Sequence, residues 1–188
     1  MTKVTDQTMV CAHELSLGKV AIYPAEALYG IGCMVSNNDS IARIKKIKDR
    51  DDDHGFIVVG EDWASLEHLV DAPEPLKNSP KIKSWPPNTT FVFDASKNAP
   101  DLVCAHHPHK TIALRVSHSP IIQKLCTAVG PIVSTSANFK GGNPPKSKSE
   151  ISEDFKKLVD VVLEFDSFSH TSPSEIINFY TNERIRIC

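Results

Sequence analysis

The chain has 188 residues, of which 40% are hydrophobic and 23% are charged, with a formal net charge of −2. This length is enough to bury a core, and the charge excludes a globally basic nucleic-acid-binding protein. No apolar run approaches the ~20 residues of a membrane span, and the N-terminus does not resemble a signal peptide, so we expect a cytoplasmic protein. The five scattered cysteines form no C-x-x-C pair, which predicts free thiols.

The chain opens with a helix, a strand and a glycine-containing turn. Residues 5–17 have the apolar spacing of an amphipathic helix. Residues 20–26 are predicted to form a strand that ends at Pro24. Residues 27–33 are predicted to form a loop, whose glycines fit neither the dinucleotide-binding pattern nor the Walker A pattern. This strand end is either a simple exit from the sheet or an edge that faces a ligand.

A basic segment ends the next helix. Isoleucines at every third position predict a helix over residues 39–48. Lys48 and Arg50 at its end either favour the helix macrodipole or clamp a polyphosphate. The acidic residues 51–53 would partly neutralise such a clamp, or would hold Mg²⁺ beside it.

The rest of the chain alternates strand and helix patterns, with a proline-rich loop over residues 71–88. Strand patterns interleaved with helix patterns predict a single α/β domain, residues 1–188, with a twisted mixed sheet, flanking helices and a cleft at the strand ends. We expect the last three strands to run together as hairpins. The further predicted strands are 56–59, 89–93, 111–117, 131–138, 159–165, 174–179 and 184–187, and the further predicted helices are 61–70, 120–129 and 148–158.

A row of polar side chains ends the strand over residues 131–138. Ser134, Ser136 and Asn138 fall on one face because successive side chains of a strand alternate between faces. Such groups cost about 1–3 kcal/mol each when they are buried without a partner. This face is therefore predicted to line a pocket for a polar or phosphorylated ligand, and a simple strand end with turn-forming residues is the alternative.

Two further polar features lie in the middle of the chain. Arg115 interrupts an apolar strand, where it needs a pairing group, an anionic ligand or an edge position in water. Three histidines within residues 106–109 have the composition of a metal site, but the proline among them prevents helical spacing. We therefore expect a solvated loop and no metal site built by the protein.

Six short motifs, taken in order, resemble those of the YrdC family. Residues 21–32, Ala-Ile-Tyr-Pro-Ala-Glu-Ala-Leu-Tyr-Gly-Ile-Gly, are similar to its Tyr-Pro-Thr-Glu-x-x-x-Gly-x-Gly opening. The resemblance runs over nearly the whole chain and fits the short bacterial form of the family, which lacks an extra C-terminal domain. The other matching segments are Lys48-Asp-Arg50, Trp85-Pro86 with Thr90, Ala113-Leu-Arg-Val116, Ser134-Thr-Ser-Ala-Asn138 and Pro173-Ser-Glu-Ile176.

The resemblance implies an L-threonylcarbamoyladenylate synthase, a nucleotidyltransferase that forms threonylcarbamoyl-AMP and pyrophosphate from L-threonine, bicarbonate and ATP. Partner proteins would take the adenylate for modification of adenosine 37 in tRNA. ATP is then a substrate, and Mg²⁺ is expected to bind mainly through its phosphates. Direct binding of tRNA or double-stranded RNA is left open. The alternative is a YrdC-type domain that binds RNA or a nucleotide without turnover.

The resemblance also implies roles for individual residues. Lys48 and Arg50 would hold the phosphates as the catalytic pair. Ser134, Ser136 and Asn138 would line the nucleotide and carbamate pocket. The remaining residues expected in the nucleotide or substrate site are Arg115, which would hold the threonine carboxylate or a phosphate, Ser174, which would close the nucleotide side, and Tyr23, Ala25 and Thr90.

The chain departs from the family pattern close to these residues. Ala25 stands where the family has threonine, Asp51 stands where it has proline, and Trp-Pro-Gly-Pro has become residues 85–88, Trp-Pro-Pro-Asn. Loss of a hydroxyl at Ala25 would relax selection for threonine against valine or serine. The Lys-x-Arg and Ser-x-Ser-Ala-Asn motifs are intact, so an active enzyme is the expectation.

Overall fold

One nine-stranded sheet organises the part of the chain that the structure, a computed structural model, describes: residues 2–51, 54–106, 108–163 and 172–186. None of the helices in these residues is both long enough and apolar enough to cross a membrane. The helices are α1 (Thr2–Ser16), α2 (Asn38–Ile47), α3 (Trp63–Leu66), α4 (Glu74–Lys77), α5 (Pro80–Lys83), α6 (Pro120–Val129) and α7 (Glu153–Lys156). The strands are β1 (Ala21–Pro24), β2 (Tyr29–Met34), β3 (Ile57–Gly60), β4 (Thr89–Asp94), β5 (Thr111–Val116), β6 (Ile132–Ser136), β7 (Val161–Val162), β8 (Glu175–Asn178) and β9 (Arg184–Arg186).

The sheet is mixed, with the order β7-β1-β2-β6-β3-β5-β4-β8-β9. β3 pairs with β5, β4 with β8 and β1 with β7 in parallel, and the other neighbours are antiparallel. The predicted α/β class with a mixed sheet is confirmed.

Apolar side chains cover both faces of the sheet because each strand alternates its side chains between the two. In β3, Val58 joins the core cluster that contains the isoleucines of α2, whereas Val59 joins the cluster that contains Leu15 of α1 and Leu125 of α6. A group of aromatic rings extends the first cluster towards β8, and its members are Trp63, Trp85, Phe91, Phe93 and Phe179.

The predicted loop over residues 27–33 is wrong, because most of it is the internal strand β2. Its glycines mark close packing and not a turn. A Cβ at Gly32 would lie 2.1 Å from the Tyr23 hydroxyl and 2.2 Å from the Val133 carbonyl oxygen. Only a residue without a side chain fits between β1 and β6 at this point.

The late strands do not form consecutive hairpins as predicted. β7 lies at one edge of the sheet, parallel to β1, whereas β8 and β9 form an antiparallel pair at the other edge. The predicted helices over 61–70 and 148–158 are also shorter, since each consists of a single α-helical turn beside a 3₁₀ turn. The proline-rich loop over 71–88 contains α4 and α5, each with a proline in its first turn, where a missing N–H does no harm.

Candidate active site

An open cleft lies where β2, β3, β5 and β6 meet. The register of the strands brings its residues together. Gly30 pairs with Ser136 on the neighbouring strand, and Ile57 pairs with Ser134 on one side and Ala113 on the other. The cleft lining contains two arginines and one carboxylate, so its charge balance is positive. Six of the ten predicted site residues line it: Ala25, Arg50, Arg115, Ser134, Ser136 and Ser174.

A buried carboxylate that was not predicted as a site residue lies beside Arg115. Glu26 is 2% exposed, and its Oε2 lies 3.1 Å from Arg115 Nε, in an ion pair whose angle does not meet hydrogen-bond geometry. Its Oε1 accepts a hydrogen bond of 2.7 Å from Ser117 Oγ and one of 3.3 Å from the His118 N–H. Glu26 belongs to the opening motif, so a carboxylate next to a strand-exit proline was the available signal. The pairing group that the sequence required for Arg115 is therefore Glu26.

Arg50 reaches the cleft because α2 ends in a tight reversal. Asp49 adopts a φ of +44°, and the N–H of Arg50 donates back to the Lys45 carbonyl at 3.1 Å, as in a Schellman turn. The Arg50 guanidinium lies 4.7 Å from the centre of the Phe56 ring and donates to the Gly55 carbonyl at 2.8 Å. These contacts hold a cation at the cleft wall.

Lys48 does not line the cleft, although it was predicted to hold phosphates there. Its Nζ donates to the Ser136 carbonyl at 2.7 Å, to the Asn138 carbonyl, and to Asn138 Oδ1 at 3.3 Å. Because an ammonium group has three protons, these acceptors use its full capacity. Burial, and to a lesser extent the nearby Arg50, lowers the pKa of Lys48 to about 8. In this structure Lys48 fastens the turn after β6 from behind the cleft wall.

Asn138 does not extend the polar row of β6, because the strand ends at Ser136 and the chain then turns. Its side-chain amide donates to the Phe139 carbonyl at 2.8 Å and to the Gly142 carbonyl at 2.7 Å. The prediction of one continuous polar face is therefore wrong for Asn138, which shapes the loop that follows.

We expect the stability of the protein to report the low pKa of Lys48. Between about pH 8 and the ordinary lysine value of 10.5, the unfolded chain binds more protons at this residue than the folded one. Stability contributed by Lys48 therefore rises with pH in that window. Urea unfolding from pH 7 to 10.5 should show that the free energy of unfolding of the wild type rises with pH relative to that of Lys48→Met. A constant difference in the free energy of unfolding between the two proteins over this range would contradict a low pKa of Lys48.

Two predicted residues support the lining from behind it. Thr90 is fully buried, and its Oγ1 lies 2.9 Å from Ser174 Oγ, which faces the cleft. Tyr23 is also fully buried and donates to the Val133 carbonyl at 3.2 Å, and burial raises its pKa well above the ordinary value. Neither side chain is placed to contact a ligand in the cleft.

Asn88, which replaces a residue of the family Trp-Pro-Gly-Pro pattern, gains a role in the structure. It adopts a φ of +54°, a region in which asparagine is tolerated. Its Nδ2 donates to the Ser172 carbonyl at 3.2 Å and to the Pro173 carbonyl at 3.1 Å, and the residue lines the cleft. Asn88 thus ties down the segment that carries Ser174.

Asp51, His54, His106 and His109 are not among the residues that line the cleft. His54 Nδ1 lies 2.5 Å from Asp51 Oδ1 in an exposed pair, and residues 52 and 53 are outside the described part of the chain. His109 pairs with Asp94 at 2.9 Å, and residue 107 is again outside that part. Within the described ranges no group of three or more His, Cys, Asp or Glu residues could hold a metal ion.

Comparisons with known proteins agree over nearly the whole chain. The model of the family named Sua5_yciO_yrdC, with the description "Telomere recombination", matches residues 13–188. The threonylcarbamoyl-AMP synthase of Coxiella burnetii is 34% identical over 174 residues, which cover 92% of each chain. The protein of the same name from Pseudoalteromonas translucida is 34% identical over 178 residues, covering 92% of this chain and 94% of its own.

Solved structures with the same fold include two that are each 24% identical to this chain. P. abyssi Sua5 complexed with L-threonine has a TM-score of 0.81 and aligns with 91% of this chain, which spans 50% of that longer chain. E. coli YciO has a TM-score of 0.78, with 95% of this chain and 89% of its own aligned. These likenesses concern the fold, since the sequence identity is low.

Proposed function

The chain belongs to the Sua5/YciO/YrdC family, and from that premise we propose that it is a threonylcarbamoyl-AMP synthase. It would combine L-threonine, bicarbonate and ATP, and would release pyrophosphate. The relatives that carry this name match 92% of the chain at 34% identity. The observation that carries the proposal is the cleft itself, which is lined by Arg50 and Arg115 together with the hydroxyl-bearing residues of β6.

The reaction proposed for this cleft is an in-line displacement at phosphorus. A carbamate oxygen of N-carboxylated threonine forms a bond to the α-phosphorus of ATP while the bond to the β-phosphate oxygen breaks and pyrophosphate leaves. The step needs no protein nucleophile, only positioning and stabilisation of negative charge. Arg50 and Arg115 would supply the positive charge that stabilises it, and Ser134, Ser136 and Ser174 would donate hydrogen bonds.

Mg²⁺ is the cofactor that this chemistry implies, because it neutralises charge on the phosphates when it is bound. Glu26 is the single carboxylate among the described residues that line the cleft, and it is engaged by Arg115 and Ser117. The lining therefore fits an ion that arrives on the phosphates, with the protein hydroxyls near it.

The product is a reactive adenylate, which implies a partner that consumes it. We propose that tRNA-modification proteins take it for adenosine 37 of tRNA, and that the reaction takes place in the cytoplasm. Any direct contact with tRNA would use local cations around the cleft, since the net charge of the chain is −2.

The proposal predicts threonine-dependent release of pyrophosphate from ATP in the presence of bicarbonate. Arg50→Ala should lower the rate by about 100-fold, because it removes a cation aimed at developing charge. Lys19→Ala is the control and should keep the wild-type rate, because Lys19 forms an ion pair with Glu14 of α1.

A separate assay with L-serine or L-valine in place of L-threonine tests whether Ala25 has relaxed the selection for threonine.

No threonine-dependent release from folded wild-type protein would overturn the synthase proposal. RNA binding that weakens steeply with salt, in the same preparation, would then favour the alternative of a binding domain without turnover.

A further inference from the structure

Arg115 both pairs with the buried carboxylate of Glu26 and lines the cleft. Its contact with Glu26 is between Nε and Oε2, at 3.1 Å. The side chain is only 10% exposed, and the residue lines the cleft. A guanidinium group has five N–H donors in a planar fork that suits a carboxylate or a phosphate. With Nε next to Glu26, the terminal nitrogens Nη1 and Nη2 are the donors suited to an oxyanion in the cleft.

The carboxylate that holds Arg115 is itself fixed from several directions. Ser117 is fully buried, donates to Glu26 Oε1 at 2.7 Å, and accepts from the Ser119 N–H at 3.2 Å. The His118 N–H also points at Oε1, at 3.3 Å. Two donors on one oxygen and the ion pair on the other leave the carboxylate little freedom, as a buried charge requires.

We propose that Glu26 is a positioning residue: it holds Arg115 at Nε from the side, so that Nη1 and Nη2 together present one fork to an oxyanion group of a substrate. The inference rests on the proposed function for the identity of that substrate. The oxyanion is either the carboxylate of the amino acid or a phosphate of the nucleotide, since both match the fork.

Glu26→Gln tests the proposal, because glutamine keeps the size of the side chain and removes its charge. We expect the KM for one substrate, threonine or ATP, to rise by about tenfold or more, as loss of one oriented charged contact does, while the KM for the other stays within about twofold. A threonine effect assigns the fork to the amino-acid carboxylate, and an ATP effect assigns it to a phosphate. Equal changes in both KM values, or a fall in kcat alone, would overturn the proposal, because a loosened cleft does not discriminate between substrates.

Ser117→Ala provides a second variant in case Glu26→Gln does not fold. It removes the 2.7 Å donor but keeps the ion pair, so the same KM should rise by a smaller factor. Glu14→Gln, which breaks an ion pair with Lys19 away from the cleft, is the matched control and should change neither KM.

Calorimetric titration separates this inference from the proposed function. L-threonine and inorganic pyrophosphate are each titrated into the wild type and into Glu26→Gln. If the wild type shows no turnover but binds one of them, and Glu26→Gln binds it at least about tenfold more weakly, the positioning role stands while the synthase proposal falls. Equal binding by both proteins, or no binding by either, overturns the positioning role.

Discussion

Gly32→Ala is expected to lower the free energy of unfolding by about 3 kcal/mol or more, because added atoms in a tight core force neighbours out of place. The new Cβ would lie 2.1 Å from the Tyr23 hydroxyl and 2.2 Å from the Val133 carbonyl oxygen. Tyr23 is fully buried and the carbonyl belongs to β6, so neither group can give way without moving a strand. Urea unfolding of the variant and the wild type measures the difference.

Gly30→Ala is the matched control on the same face of β2. Its added Cβ would meet Ser134 Oγ at 3.2 Å and Tyr23 Cε2 at 3.3 Å, which small shifts of side chains can relieve. We expect this variant to lose roughly 1 kcal/mol. Similar losses for the two variants would show that close contact with the Tyr23 side chain and the Val133 carbonyl is not what selects glycine at position 32.

The sequence predicted most strands of the sheet because their apolar patterns are local. It missed β2 because glycines in an isolated sequence indicate a turn, whereas here they allow two neighbouring strands to approach. It also misplaced β7, whose partner β1 lies some 140 residues earlier in the chain. Pairing between such distant segments depends on the whole sheet, which no window of sequence describes.

The residues of the candidate site were predicted in part. Arg115 and Ser134 were identified because polar groups in apolar strands need a reason to be there, and both line the cleft. Lys48 was predicted to face phosphates, but the direction of a long side chain depends on which carbonyl groups the folded backbone brings near it. No site role was predicted for Glu26, because its pairing with Arg115 joins segments that are 89 residues apart.

Arg115→Met should destabilise the protein by about 3–5 kcal/mol, because it leaves the Glu26 carboxylate buried without a counterion. Methionine fills much of the volume of the arginine stem, so the loss reports the charge and not a cavity. Arg43→Met is the control: Arg43 is 42% exposed in its ion pair with Asp160, and an exposed pair contributes about 1 kcal/mol or less.

The double variant Arg115→Met with Glu26→Gln separates the charge from the other contacts of the arginine. With both charges removed no buried ion is left alone, so the double variant should be more stable than Arg115→Met itself, although it carries one more change. Urea unfolding of the wild type, the two single variants and the double variant gives the coupling energy directly. Additive losses would mean that the 3.1 Å contact between Glu26 Oε2 and Arg115 Nε carries no coupling, and that Arg115 is held in the cleft by the packing of its stem alone.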